Sequence, residues 1–148
     1  VSEKTVPTRR QGVLGVHSLD HFAMTVPSLD EAKRFYGTFG LDVRDEPQGL
    51  GVYTFGHPHR WALLREGPHK KLDYLSFGAF ADDMPRFAER LKNLSVTMAP
   101  PGAKDDAESL WFSENNGLKF QIKLNLTLLK TIISQNLKML KFFKVAFN

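Results

Sequence analysis

The sequence predicts an α+β fold of two βαβββ modules forming a curved-sheet cleft with helices outside, plus a C-terminal amphipathic helix. Three observations predict it. An internal repeat comes first: Leu19-Asp20-His21-Phe22-Ala23 returns as Leu72-Asp73-Tyr74-Leu75-Ser76, and each copy leads into a helix-like stretch, as expected of a duplicated supersecondary unit. Short apolar runs punctuated by Gly and Pro follow each helical stretch, which suits a meander of strands. A length of 148 residues matches one globular domain, enough to bury about two-thirds of the surface its unfolded chain exposes.

Taken in order, residues 1–12 are polar and read as a flexible arm rather than a signal peptide. Residues 16–26 are rich in apolar and β-branched side chains up to Pro27 and read as a strand. Ser28 with Glu31 is a capping box, and Leu29, Ala32, Phe35, Tyr36 and Phe39 recur at helical spacing as one apolar face, closed by Gly40. Runs 41–44, 51–55 and 60–65, separated by Pro47, Gly49, Gly56 and Pro58, complete the first module over 13–67.

The second module, 70–123, repeats the order. It has a strand at 72–80, then a helix at 82–92 with Met84, Phe87, Ala88 and Leu91 on one face and Pro85 harmlessly in the first turn. Strands at 96–98, 110–113 and 118–123 follow, with Pro100-Pro101-Gly102 and Asn115-Asn116-Gly117 as turns. The repeat aligns Asp30 with Asp82 or Asp83, Phe35 with Phe87, and Leu41 and Val43 with Leu94 and Val96.

Composition excludes several functions. With no cysteine, neither a disulfide framework nor thiolate metal ligation is available, and the cytoplasm is the default compartment. No segment approaches the ~20 apolar residues of a membrane span. The net charge of +4 is confined to residues 124–148, because 1–123 hold 16 basic and 16 acidic residues; the domain has no electrostatic case for nucleic acid. Catalytic serine or cysteine triads, phosphate loops and dinucleotide fingerprints are absent, and Gly49-Leu50-Gly51 is too short to count.

Residues 124–148 change character, with no Gly, Pro or acidic residue. Leu126, Leu129, Ile133, Leu137, Leu140 and Phe143 at helical spacing oppose Thr127, Lys130, Ser134, Lys138 and Lys141, a basic amphipathic pattern. Docking of that apolar face on the domain or a dimer partner is the physical expectation. An anionic membrane surface and a truncated chain with a foreign tail are the alternatives, membrane contact being disfavoured.

Asp20-His21-Phe22-Ala23-Met24-Thr25-Val26, the Phe35-Tyr36 pair ahead of Phe39-Gly40-Leu41, and Trp111-Phe112-Ser113-Glu114-Asn115-Asn116-Gly117-Leu118 together resemble the vicinal oxygen chelate superfamily. That superfamily includes glyoxalase I, bleomycin-resistance proteins and type I extradiol ring-cleaving dioxygenases, and the resemblance spans 13–123. Within it, Tyr53-Thr54-Phe55, His59-Arg60-Trp61-Ala62-Leu63 and Leu72-Asp73-Tyr74-Leu75-Ser76-Phe77 are similar to the N-terminal domain of two-domain extradiol dioxygenases. The resemblance implies that catalytic Fe(II) or Mn(II) belongs to a C-terminal domain, while the N-terminal copy keeps the fold without the ligands. The chain is expected to end before such a second domain begins.

The resemblance places the superfamily's metal ligands on the first strand of each module and on the last strand, at His21, Tyr74 and Gln121. A neutral amide and a phenol of pKa about 10 are poor partners for a divalent iron, so the positions are read as vestigial and no metal is expected. The strand matching the first-module carboxylate of glyoxalases offers Ala62, Leu63 and Leu64.

His21 reads first as a satisfied interior histidine. His57, His59 and His69 form too loose a pattern for a metal and read as surface-loop residues. Asp20 and Asp73 could suggest acid–base work, yet strand alternation places them opposite His21 and Tyr74, in structural or solvated roles. Trp61 and Trp111, with Phe55, Phe112 and Phe120, could line an aromatic-accepting cleft, although core packing is the commoner role.

Two function classes follow. One is the degenerate N-terminal half of an extradiol ring-cleaving dioxygenase of aromatic catabolism, inactive alone and partnered by a catalytic domain or a second copy. The other is a metal-free, resistance-type protein that binds a small aromatic ligand. A metal-dependent glyoxalase or dioxygenase with ligands from a partner chain is a weaker third.

Overall fold

The computed structural model describes residues 10–99 and 108–124. The amphipathic segment expected over 124–148 and the Pro100-Pro101-Gly102 turn lie outside the described residues, apart from Leu124 at the end of the last strand. The chain runs β1 (Ser18–Val26), α1 (Leu29–Thr38), β2 (Asp42–Glu46), β3 (Gly49–Tyr53), β4 (Arg60–Glu66), β5 (Lys71–Ala79), a 3-10 turn (Ala81–Asp83), α2 (Met84–Asn93), β6 (Met98–Ala99), β7 (Leu110–Ser113) and β8 (Lys119–Leu124).

All eight strands form one open mixed sheet in the order β2-β3-β4-β1-β5-β8-β7-β6. Each half carries the same pattern, with its first strand parallel to its last (β1 with β4, β5 with β8) and the remaining pairs antiparallel. The halves meet where β1 runs antiparallel to β5. Repeat and topology therefore agree: two βαβββ units share a central seam.

Side-chain parity on the first unit explains its core. Val26, Leu50, Val52, Ala62 and Leu64 are buried with Ala32 of α1, and Phe22, Met24, Leu29, Tyr36, Leu41 and Val43 pack against them. The sheet's other face in this unit presents the opposite parity, including His21 and Ala23 on β1. Helix α1 begins as the capping box predicts, the Glu31 amide donating to Ser28 Oγ at 3.2 Å. Its apolar residues, however, do not form one face. Leu29, Ala32 and Tyr36 meet the sheet, whereas Phe35 and Phe39 are 64% and 75% exposed.

The two helices end alike. Leu41 N–H donates to the Tyr36 carbonyl across Gly40, and Val96 N–H donates to the Leu91 carbonyl across Ser95. Gly40 sits at φ +97° and Ser95 at φ +53°, so both are the left-handed residue of a Schellman-type C-cap. This equivalence matches residue 40 to 95 and residue 29 to 84. Phe35 therefore corresponds to Arg90, not to Phe87 as the repeat alone suggests, because the second unit inserts a 3-10 turn before its helix.

Strand boundaries also shift, that of β3 among them. Glu46 pairs with Gly49 around a two-residue Pro47-Gln48 turn, so β3 starts two residues earlier than the predicted 51. Gly49 is required there: its φ is +141°, and a Cβ would lie 2.0 Å from the Leu64 carbonyl oxygen.

Candidate functional site

The seam between the repeats gathers most of the polar residues singled out in the sequence. Two bulges shape it. Leu19 pairs with Phe77 and His21 with Ser76, so the ladder skips Asp20; Ala23 pairs with Tyr74 and Met24 with Leu72, so it skips Asp73. A bulge interrupts the alternation of side chains, and this corrects the expectation that Asp20 lies opposite His21. Asp20 Oδ2 and His21 Nδ1 are in contact at 2.5 Å, both residues buried.

A carboxylate can only accept, so His21 Nδ1 carries the proton in this bond. In the neutral ring, Nε2 is then the acceptor from the Tyr74 hydroxyl, 3.0 Å away. The Tyr74 ring in turn meets Trp111 edge to face at 4.9 Å. Burial works to raise the Asp20 pKa, but the His21 hydrogen bond and the charges of Lys123, His21 and His59 outweigh it and hold the carboxyl below its ordinary range. Lys123 Nζ stands 3.8 Å from Asp20 Oδ2.

Gln121 is brought to the same seam by the parallel β5–β8 pairing, which sets it beside Ser76. Its Oε1 accepts from Ser76 Oγ at 2.7 Å and its Nε2 donates to Ser109 Oγ at 3.1 Å. Asp73 accepts from the Thr25 hydroxyl through both carboxylate oxygens, at 3.1 and 2.9 Å.

The loop histidines divide. His69 is exposed. His59, expected on the surface, is half-buried, and its Nε2–H donates to the Asp20 carbonyl at 2.6 Å, tying the β3–β4 loop to the bulge. His57 accepts from the His59 amide at 3.1 Å. Trp61 packs edge-on against His59 at 4.5 Å. A connected line of contacts thus runs Trp61, His59, Asp20, His21, Tyr74, Trp111. The sequence reads His59 as a surface-loop residue because its partner is a backbone carbonyl freed by a bulge, which residue types do not reveal.

The aromatic residues also separate. Trp111 is buried, and its Nε1–H has no acceptor among the described residues. Phe112 and Phe120 stack at 5.4 Å, while Phe55 is 73% exposed and does not belong to the core.

A second polar cluster was not anticipated. Glu46 accepts from the Tyr53 hydroxyl at 2.5 Å and from Arg60 at 2.6 Å, and the Arg44 guanidinium lies 4.0 Å over the Tyr53 ring. Burial pushes the Glu46 pKa up, yet the hydrogen bonds from Tyr53 and Arg60 and the charges of Arg60 and Arg44 bring it below its ordinary value; Tyr53 is raised by its bond to Glu46 and by burial.

Among the described residues, no cluster of three His, Cys, Asp or Glu could hold a metal ion, and no helix is long and apolar enough to cross a membrane.

This duplicated βαβββ sheet is the vicinal oxygen chelate fold, in agreement with solved structures. The chain superposes on 2,2',3-trihydroxybiphenyl 1,2-dioxygenase from Sphingomonas wittichii with a TM-score of 0.65 at 19% identity, over 76% of this chain and 42% of that one. It superposes on the Mn(II)-bound glyoxalase from Novosphingobium aromaticivorans with a TM-score of 0.59 at 18% identity, over 72% of this chain and 38% of that one. In sequence, metapyrocatechase 2 of Cupriavidus necator is 37% identical over 109 residues, which are 74% of this chain and 34% of that protein. The chain shares the fold of the extradiol ring-cleaving dioxygenases and is similar in sequence to part of one, and it spans about a third of the curated relative it matches. No protein-family profile matches it.

Proposed function

We propose that this domain is the non-catalytic, N-terminal half of an extradiol ring-cleaving dioxygenase of aromatic catabolism, acting in the cytoplasm by packing against and positioning a catalytic domain. One observation carries the reading: the groups at the positions equivalent to superfamily metal ligands are engaged with one another or with neighbours. His21 is held at both ring nitrogens, by Asp20 and Tyr74. Gln121 is held at both ends of its amide, by Ser76 and Ser109.

A two-histidine, one-carboxylate centre needs three convergent lone pairs with open positions for substrate and oxygen. The donor set does not fit one. A metal would have to break the His21–Tyr74 bond and the Gln121 bonds, and would gain a single imidazole as a strong ligand. The likeness to a third of metapyrocatechase 2 supports a part rather than a whole enzyme.

Anaerobic titration of Fe(II), Mn(II) and Zn(II) into the metal-free protein, with His21→Ala as control, tests this. The expected result is no stoichiometric binding and no cleavage of catechol. Tight 1:1 binding abolished in His21→Ala would overturn it.

One observation favours a second reading, a metal-free site for a small aromatic ligand: the buried Trp111 Nε1–H beside Tyr74 has no acceptor among the described residues, and a ligand oxygen would supply one. Catechol quenching tryptophan fluorescence in the parent but not in Trp111→Phe would support it; quenching unchanged by that substitution would exclude it.

A further inference from the structure

We propose that the outer face of α1 is a self-association surface through which two copies of this chain pair about a two-fold axis. This rests on α1 alone and is independent of the metal-ligand reading.

Helix α1 carries two stripes. One, with Leu29, Ala32 and Tyr36, packs on the sheet. The other consists of Glu31, Arg34, Phe35, Thr38 and Phe39, which together line a shallow depression on the helix exterior. Their spacing of i, i+3, i+4, i+7 and i+8 is that of a helix–helix seam. The Phe35 and Phe39 rings stack on each other at 6.4 Å and stand 64% and 75% exposed. Two adjoining exposed aromatic rings are costly to leave in water, and aromatic residues are enriched at interfaces.

The fold supplies its own control. Residues equivalent to this stripe on α2 are Arg86, Glu89, Arg90, Asn93 and Leu94, which are also exposed, but there the chain contacts its own helix: Gly12 and Leu14 line the same depression, with Arg86 Nη2 donating to the Gly12 carbonyl at 3.5 Å. The α2 stripe is polar apart from Leu94 and is bordered by another segment of the chain. The α1 stripe is aromatic and remains exposed.

Charge selects a second copy as the occupant. Glu31 and Arg34 flank the rings with opposite signs, and neither side chain makes an ion pair among the described residues. A two-fold axis through Phe35 packs the helices antiparallel. It sets Phe35 against its own copy and opposes the helix dipoles favourably. It also brings Arg34 of each copy to about 7 Å along the axis from the partner's Glu31, within reach of the extended side chains. The surface is self-complementary: each copy supplies the anion that the other's cation lacks.

Sedimentation equilibrium of the full chain from about 10 μM to about 1 mM, the range of small interfaces, reads the association. A concentration-dependent dimer is expected, weakened about tenfold or more by Phe35→Asp, as expected of a central aromatic anchor. Glu31→Arg and Arg34→Glu should each weaken it, and the double substitution should restore it by exchanging the charges; circular dichroism of each variant confirms the fold. A monomer throughout, a dimer unaffected by Phe35→Asp, or a double variant as weak as the single ones would overturn the proposal.

Discussion

Asp20 and Asp73 occupy the same point of the repeat and are each the extra residue of a bulge in the antiparallel seam between β1 and β5. Their roles differ with their surroundings. Asp20 is buried against His21, with Lys123 and His59 near, while Asp73 is half-buried and accepts from Thr25. Replacing Asp20 by Ala strands the His21 Nδ1 donor in the interior and should cost about 2–3 kcal/mol, whereas Asp73→Ala should cost about 1 kcal/mol. Urea denaturation of the two variants checks the ratio, and equal losses would contradict the asymmetry.

The C-caps predict a stabilising change. Ser95 occupies the left-handed position that Gly40 fills in the first unit. Removing the Cβ relieves steric cost but frees the unfolded chain, so Ser95→Gly should gain about 0.5–1 kcal/mol. A rise in thermal midpoint is the expected readout.

Gly49 predicts the opposite. Any side chain there meets the Leu64 carbonyl and an unfavourable backbone conformation together, so Gly49→Ala should cost about 3 kcal/mol or more by forcing β3 away from β4. Chemical denaturation gives the loss, and loss of protection in amide exchange should centre on the β3–β4 pairing.

Glu46 sets a pH dependence. Its carboxyl is depressed in the folded state by Tyr53 and Arg60 relative to a reference of 4.5. Folding therefore favours the ionised form: the contribution is present above the unfolded value and is lost as pH falls through it toward the lower folded value. Thermal midpoints measured from pH 6 down to about pH 3 should fall, and Glu46→Gln should fall less steeply over the same window. Identical slopes would count against the assignment.

Much of the architecture was legible because it rests on local chemistry. Ser28 and Glu31 announce the start of α1 whatever lies around it, and the Leu19–Ala23 and Leu72–Ser76 echo carries the duplication. The site was legible by type but not by arrangement. His21 and Tyr74 were singled out as equivalent positions, yet their 3.0 Å contact depends on strand pairing. Alternation puts Asp20 on the wrong face because it assumes an unbroken ladder, and His59 reads as a surface residue because the backbone carbonyl that holds it has no sequence signature. The Glu46–Tyr53–Arg60 cluster joins three strands, which the sequence cannot set side by side.

The sequence by itself determined the alternation of strands and helices, the two-unit repeat, the caps of α1 and the absence of thiolate chemistry. These follow from dihedral preferences, side-chain periodicity and residue inventory, which act over a few residues. Tertiary structure alone decided which strands adjoin, where the two bulges fall, that α1 buries Ala32 and Tyr36 while leaving Phe35 and Phe39 outside, and that His21 and Gln121 spend their hydrogen bonds on neighbours. Those outcomes depend on contacts between residues far apart in the chain, His21 and Tyr74 being 53 positions apart, and such contacts exist only once the chain has closed on itself.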